Sequence, residues 1–308
     1  MIEEKSMMGP IVPYYGGKRS LAPEIVAELG PHTAYFEPFC GSMAVLLAKP
    51  KSQQETVCDR NDRLVNLSRC LASSELAPAI YRYLRRVVAA EKLYIRSMTD
   101  DPGEWIKSPD FDLPKIMDAD AEDACRYFLE SWLGRNGHTG SARQGVSFSV
   151  RYTPGCGSQA TRWRHAVDSI PSFRRRLRGV TILCRDGFEV IESIDDHPQV
   201  AVYCDPPYLV CGDAYLHPFA EDDHARLAKA LRRFAKARVV VSYYDHPLLD
   251  ELYPSNQWLK RKFVRHKNLS NQGQHGPTGE KCTEVLLING NSFARRERLD
   301  YGLFQETA

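Results

Sequence analysis

Short β-rich runs alternate with segments of helical spacing at both ends of this chain, and the alternation is absent between them. At the first end, Leu21, Ile25, Val26 and Leu29 recur at helical spacing within Ser20–Leu29, which halts at Gly30-Pro31. Thr33–Phe36 is a β-rich run, Met43–Lys49 an apolar helix halted by Pro50, Glu55–Asp59 the next strand and Arg63–Leu71 the next helix. Alternation resumes with strands at Val180–Cys184, Val200–Cys204, Arg238–Tyr243, Trp258–Arg265 and Thr283–Ile288. Helices fall at Phe188–Ile194 and Asp222–Lys236. In the second, Asp222 or Asp223 is placed to cap, and Ala225, Leu227, Leu231 and Phe234 face inward. Strands separated by helices build a parallel sheet with helices on its faces, so the chain is α/β. The middle holds helical stretches alone (Leu76–Ile95, Ala121–Leu133, Arg162–Leu177) around a Gly/Ser/Arg loop, Gly134–Gly157. One sheet, built from residues 1–73 and 179–308, is thus interrupted by a mainly helical insertion at 74–178.

The chain has 308 residues, 43% hydrophobic and 26% charged, with 41 Lys+Arg against 39 Asp+Glu. Those values exclude disordered, collagenous and membrane-embedded classes. No apolar run approaches the roughly 20 residues of a spanning helix, and Met1–Pro10 lacks a secretory pattern, so a soluble cytoplasmic protein is expected. Nine scattered cysteines with no C-x-x-C predict reduced thiols and no metal site.

Charge is segregated. Thr99–Asp123 carries nine acids against Lys107 and Lys115. Arg126–Arg178 carries ten arginines and no lysine against Glu130 and Asp168, interleaved with Tyr127, Phe128, Trp132, Phe148, Tyr152, Trp163 and Phe173. Guanidinium forks suit phosphates and base edges, and aromatic faces suit stacking, which is one reading of this stretch. The other is a solvated helix face, with Arg174, Arg175, Arg176 and Arg178 favouring a helix C-terminus. Charge alone leaves both open. Lys260, Arg261, Lys262, Arg265 and Lys267 form a second basic run of the same kind.

In open parallel sheets ligands bind beyond the carboxyl ends of strands. Two such ends carry candidate chemistry. The first, Glu37-Pro38-Phe39-Cys40-Gly41-Ser42, has a glycine that permits close backbone approach, yet it is not G-x-G-x-x-G. Gly16-Gly17-Lys18-Arg19 is not a phosphate loop either, since Val12 and Arg19 stand where Gly and Ser/Thr are required. The second end is Asp205-Pro206-Pro207-Tyr208. An amine conjugated to a purine ring is a weak nucleophile because its lone pair is delocalised. Two acceptors that hold its hydrogens let the nitrogen become tetrahedral as an electrophile approaches. Asp205 Oδ and the Pro206 carbonyl supply such acceptors, the prolines fix them, and Tyr208 offers a stacking face.

With those motifs in order, the sequence resembles the D12 class, the Dam-like adenine-N6 DNA methyltransferases. The shared segments are Tyr14-Tyr15-Gly16-Gly17-Lys18, Glu37-Pro38-Phe39-Cys40-Gly41, Cys58-Asp59, Asp186-Gly187-Phe188, Asp205-Pro206-Pro207-Tyr208 and Glu284-Val285-Leu286. The resemblance implies a Rossmann-like class I methyltransferase sheet using S-adenosylmethionine, with an inserted mainly helical target-recognition domain. It puts Asp205, Pro206, Pro207 and Tyr208 at the reacting amine. Lys18, with Tyr14 and Tyr15, would sit at the donor's carboxylate end, and Glu37, Pro38, Phe39, Cys40 and Gly41 would line its methionine part. Asp59 would hold the ribose hydroxyls, and Asp186 and Phe188 the adenine. Arg135, Asn136 and Gly137 resemble a DNA-touching loop of relatives, and Arg143 and Arg151 join them as candidate DNA contacts. Double-stranded DNA is the implied partner of a monomer or weak dimer, with a place in a restriction system among the implied roles. The alternatives weighed are a cytosine-N4 DNA methyltransferase, an RNA adenine methyltransferase and an inactive DNA-binding module on the same fold.

Overall fold

The computed structural model describes residues 8–14, 16–97, 115–116, 119–134, 148, 157–209, 219–266 and 281–294. Its elements are α1 (Ala22–Leu29), β1 (Ala34–Glu37), α2 (Ala44–Ala48), β2 (Gln54–Asp59), α3 (Asp62–Ala72), α4 (Leu76–Leu84) and α5 (Glu91–Ser97). A short antiparallel pair follows, β3 (Lys115–Ile116) and β4 (Ala119–Asp120), then α6 (Ala121–Leu133), α7 (Gln159–Asp168) and α8 (Ile170–Leu177). The second half comprises β5 (Val180–Cys184), α9 (Gly187–Ser193), β6 (Val200–Cys204) and α10 (Glu221–Leu231). After these come β7 (Arg238–Tyr244), α11 (Leu248–Leu252), β8 (Trp258–His266) and β9 (Lys281–Asn289).

Seven strands form one sheet in the order β5-β2-β1-β6-β7-β9-β8, parallel except for β9, which is antiparallel to both neighbours. Side chains along a strand alternate between faces, and the core follows that alternation. Ala201 and Tyr203 belong to one buried cluster, while Val200, Val202 and Cys204 belong to another on the opposite face. β6 is buried at every position, as a central strand covered on both sides must be. The chain leaves β1 toward β2 and β5, then returns to the other flank of β1 as β6. The order therefore reverses between β1 and β6, the switch point where such sheets bind ligands.

The aromatics of the inserted stretch fill the core. Tyr127, Phe128, Trp163 and Phe173 are buried in the same cluster as Leu64 and Leu67 of α3, with Trp132 and Phe148 packed against it. These rings therefore do not form the stacking surface that was one of the two readings of this stretch, while Tyr152 lies outside the described residues. Arg63 of α3 pairs with Glu130 of α6 at 2.7 Å, and Trp132 Nε1 donates to the Ile11 carbonyl at 3.0 Å. The single helix expected over Arg162–Leu177 divides at Ser169, because Pro171 has no N–H and cannot continue α7. Leu76–Ile95 likewise divides into α4 and α5, and the Val87 carbonyl in the gap accepts from Trp163 Nε1 at 2.9 Å. α10 buries His224, Leu227, Ala228 and Leu231, leaving the expected Ala225 exposed. His224 Nδ1 sits 2.9 Å from the Tyr243 hydroxyl, which fixes that face.

Arg176 of the first basic run and Lys260, Arg261 and Lys262 of the second are paired within the protein. Arg176 is buried and pairs with Glu55, which also takes Lys49 at 2.7 Å. On β8, Lys260 pairs with Asp245 and Asp250, Lys262 with Asp245 and Arg261 with Glu28. Among the described residues no helix is long and apolar enough to cross a membrane.

Candidate active site

A cleft of about 1010 Å³, open mouth included, runs along the carboxyl ends of β1, β2 and β6. Twelve sequence candidates line it: Tyr14, Lys18, Glu37, Pro38, Phe39, Cys40, Gly41, Asp59, Asp186, Phe188, Asp205 and Pro207. Pro206 and Tyr208 are buried beside it. Tyr15, Arg135, Asn136, Gly137, Arg143 and Arg151 lie outside the described residues.

The turn after β1 is shaped by two left-handed residues, Gly41 at φ 44° and Met43 at φ 57°. A side chain at Gly41 would put its Cβ 3.2 Å from the Tyr14 ring. Met43 tolerates the conformation because its side chain is locked in the core. Asp59, ending β2, fastens the turn: Oδ2 accepts from Gly41 N at 2.8 Å and Oδ1 from Asn61 N at 2.9 Å. Glu37 is buried with its Oε2 2.8 Å from the Tyr35 hydroxyl that donates to it. Burial pushes its carboxyl pKa up to about 8, and the nearby Asp205 charge adds to the rise.

Asp205 follows β6 directly. Its Oδ1 accepts from Lys18 Nζ at 3.0 Å and from the Ser242 hydroxyl at 2.8 Å. Burial raises its carboxyl pKa, while Lys18 and Ser242 oppose the rise. Lys18 is itself buried, donates to the Gly16 carbonyl at 2.6 Å and lies 4.6 Å from the centre of the Tyr208 ring. The ammonium expected at a donor carboxylate thus rests against the Asp205–Tyr208 motif.

The far end of the cleft is aromatic. Phe188 and Phe219 stack with centroids 5.6 Å apart, and Phe39 meets both edge-on. Asp186 caps α9 by accepting from Phe188 N at 2.9 Å. Gly187 is required here, since a Cβ would fall 2.7 Å from the Pro38 carbonyl oxygen. Sequence reading missed Tyr203, Phe219 and Arg60 on the walls and Ser242 behind them. Strand register was the signal for Ser242: Cys204 pairs with Val241, so the next step sets Asp205 beside Ser242.

A sheet of this order, with one antiparallel strand near its edge, a cleft at its switch point and an Asp-Pro-Pro-Tyr wall, defines an amino-group methyltransferase of the class I α/β fold. The chain belongs to the D12 class N6 adenine-specific DNA methyltransferase family, which its residues 14–266 match. It is 26% identical over 302 residues to the retron Ec67 DNA adenine methylase of Escherichia coli, covering 92% of each chain. Among solved structures it overlaps the rRNA methyltransferase aviRa from Streptomyces viridochromogenes at a TM-score of 0.40 and 15% identity, over 95% of this chain and 94% of that one. The enzyme is accordingly an adenine-specific DNA methyltransferase that uses a methyl donor.

Proposed function

We propose that the donor is S-adenosylmethionine and that the acceptor is the N6 amine of an adenine turned out of double-stranded DNA. Three features of the cleft suit that donor. A buried Glu37 carboxyl stands ready for an ammonium group. Asp59, held in place by accepting from the Gly41 and Asn61 backbone N–H groups, sets a carboxylate on the wall of the kind that suits ribose hydroxyls. The Phe188 end, bordered by Asp186, suits a purine. Pro38, Phe39, Cys40 and Gly41 line the methionine part between them, with Tyr14, Tyr15 and Lys18 at its border. When bound, S-adenosylmethionine supplies a methyl carbon made electrophilic by its sulfonium.

The chain's own residues do the rest. Asp205 and the Pro206 carbonyl accept the two hydrogens of the amine, so the nitrogen lone pair turns toward the donor. Pro206 and Pro207 hold both acceptors rigidly, and the Tyr208 ring, expected from the sequence to offer a stacking face, lies buried under Lys18 and backs the motif instead. Asp205 receives the proton the amine sheds, a task its burial favours. N6 is paired inside the duplex, so the adenine must leave the stack, at a cost of about a few kcal/mol. Arg135, Asn136, Gly137, Arg143 and Arg151 are the proposed DNA contacts.

The observation that carries this reading is the Asp205 carboxylate, fixed at the carboxyl end of β6 on the wall shared with Glu37, Gly41 and Asp59. Asp205→Ala should abolish transfer of a labelled methyl group to DNA while donor binding survives. Transfer at near the parent rate would overturn it.

A further inference from the structure

The carboxylate of Asp205 has two oxygens, and Oδ1 has both of its lone pairs committed. Oδ1 accepts from Lys18 Nζ and from Ser242 Oγ. A carboxylate oxygen offers about two lone pairs, so Oδ1 is full. Ser242, buried on β7, has a single hydroxyl hydrogen, and it goes to Asp205. The Tyr203 hydroxyl, 2.9 Å from Ser242 Oγ, must then be the donor in that contact. The chain of hydrogen bonds therefore has one direction: Tyr203 to Ser242 to Asp205. It crosses from β6 to β7 and back, and parallel register places its members side by side.

Resting on the proposed role of Asp205, we propose that Ser242 is a positioning residue for methyl transfer. It fixes the carboxylate through Oδ1, so that Oδ2 is the oxygen offered to the target amine, and Tyr203 holds Ser242 in that role. Rotating the carboxylate out of this position would cost two donors at once. A freely rotating carboxylate would present either oxygen, and the amine would meet the correct acceptor geometry only part of the time.

The groups facing Asp205 are Lys18 from the segment before α1, Glu37 at the end of β1, Tyr203 and Cys204 of β6, Tyr208, and Tyr243 of β7. Ser242 adds a donor that favours the ionised form. Transfer needs the ionised carboxylate as acceptor. Removing Ser242 therefore moves the acid limb of the rate profile to higher pH, whereas a packing defect alone would lower the rate equally at every pH.

The test is single-turnover methylation of duplex DNA with labelled S-adenosylmethionine across the acid limb, alongside equilibrium donor binding, for Ser242→Ala and Tyr203→Phe. Ser242→Ala should slow transfer by about ten- to a hundred-fold, with donor affinity unchanged and the limb displaced upward. Tyr203→Phe keeps the ring and the Ser242–Asp205 bond, so it should shift both in the same direction by less, and it carries the test if Ser242→Ala does not fold. Parent-like rates in both variants, or losses uniform with pH, overturn the proposal. Asp205→Ala, run beside them, separates this outcome from failure of the Asp205 assignment itself.

Discussion

Burial of the Glu37 carboxyl at the end of β1 pushes its pKa up from the ordinary 4.5 to about 8. A carboxyl raised in this way favours folding while it is protonated, and the benefit fades as pH climbs. Below about 4.5 it is protonated in both folded and unfolded chains. Between 4.5 and 8 the folded chain holds a proton that the unfolded chain has lost, and stability falls by up to about 1.4 kcal/mol per pH unit. Glu37→Gln should therefore raise the Tm of the donor-free protein at pH 8, with the gap closing toward pH 4.5, as calorimetric scans would record. The same variant should weaken donor binding. In the parent enzyme at neutral pH, binding should release a proton as Glu37 ionises against an ammonium, a quantity read from binding heats in buffers of different ionisation enthalpy. Glu55 behaves in the opposite sense: burial works against its ionised form, but Arg176 and Lys49 bring its pKa below the ordinary value. Its contribution is present above the ordinary carboxylate range and is lost as pH falls. Removing it by Glu55→Ala strands two cations whose side chains are 1% and 7% exposed, so a loss of about 3–5 kcal/mol is expected in denaturant titration.

At the scale of elements, the first turn of α9 lies against the turn after β1 with no space between them. Gly187→Ala would drive a Cβ into the Pro38 carbonyl oxygen and the Phe39 ring, and backbone cannot step aside as a long side chain can. The expected result is about 1–3 kcal/mol of lost stability together with weaker donor binding, both measurable on the purified variant. These elements were legible to different degrees. α6 runs over Ala121–Leu133, β5 over Val180–Cys184 and β6 over Val200–Cys204, the bounds that spacing and β-branched content imply. The cleft candidates were legible too, because a motif at a strand end announces its place. The two-part α7–α8 was harder to see, since apolar spacing continued through Pro171 and concealed the break. The aromatics of α6, α7 and α8 also misled, because composition cannot tell a ring that stacks on a base from one that fills a core. Ser242 was invisible for another reason: a serine in an apolar strand acquires meaning only through the residue that register sets beside it.

At the scale of the whole molecule, the arginines of α8 stand at the wrong edge for work at the cleft. α8 ends at Leu177 and β5 starts at Val180, so Arg174, Arg175 and Arg178 lie by the amino ends of the strands, while the cleft opens at the carboxyl ends. Replacing those three by alanine should leave the salt dependence of DNA binding unchanged. Each of Arg143→Ala and Arg151→Ala should reduce the slope of log affinity against log salt by about 1. Fluorescence titrations at several salt concentrations distinguish the two groups. The bonds between α6 and the segments beside the cleft reach further. Asn61, next but one to Asp59, donates to the Tyr127 hydroxyl at 3.2 Å, and Trp132 holds the Ile11 carbonyl. An engineer exchanging the segment that carries the proposed DNA contacts thus inherits a constraint: α6 cannot be transplanted with it, because its removal would unseat the walls of the cleft. Grafts should begin after Leu133 and end before Gln159, where exchange leaves those struts in place.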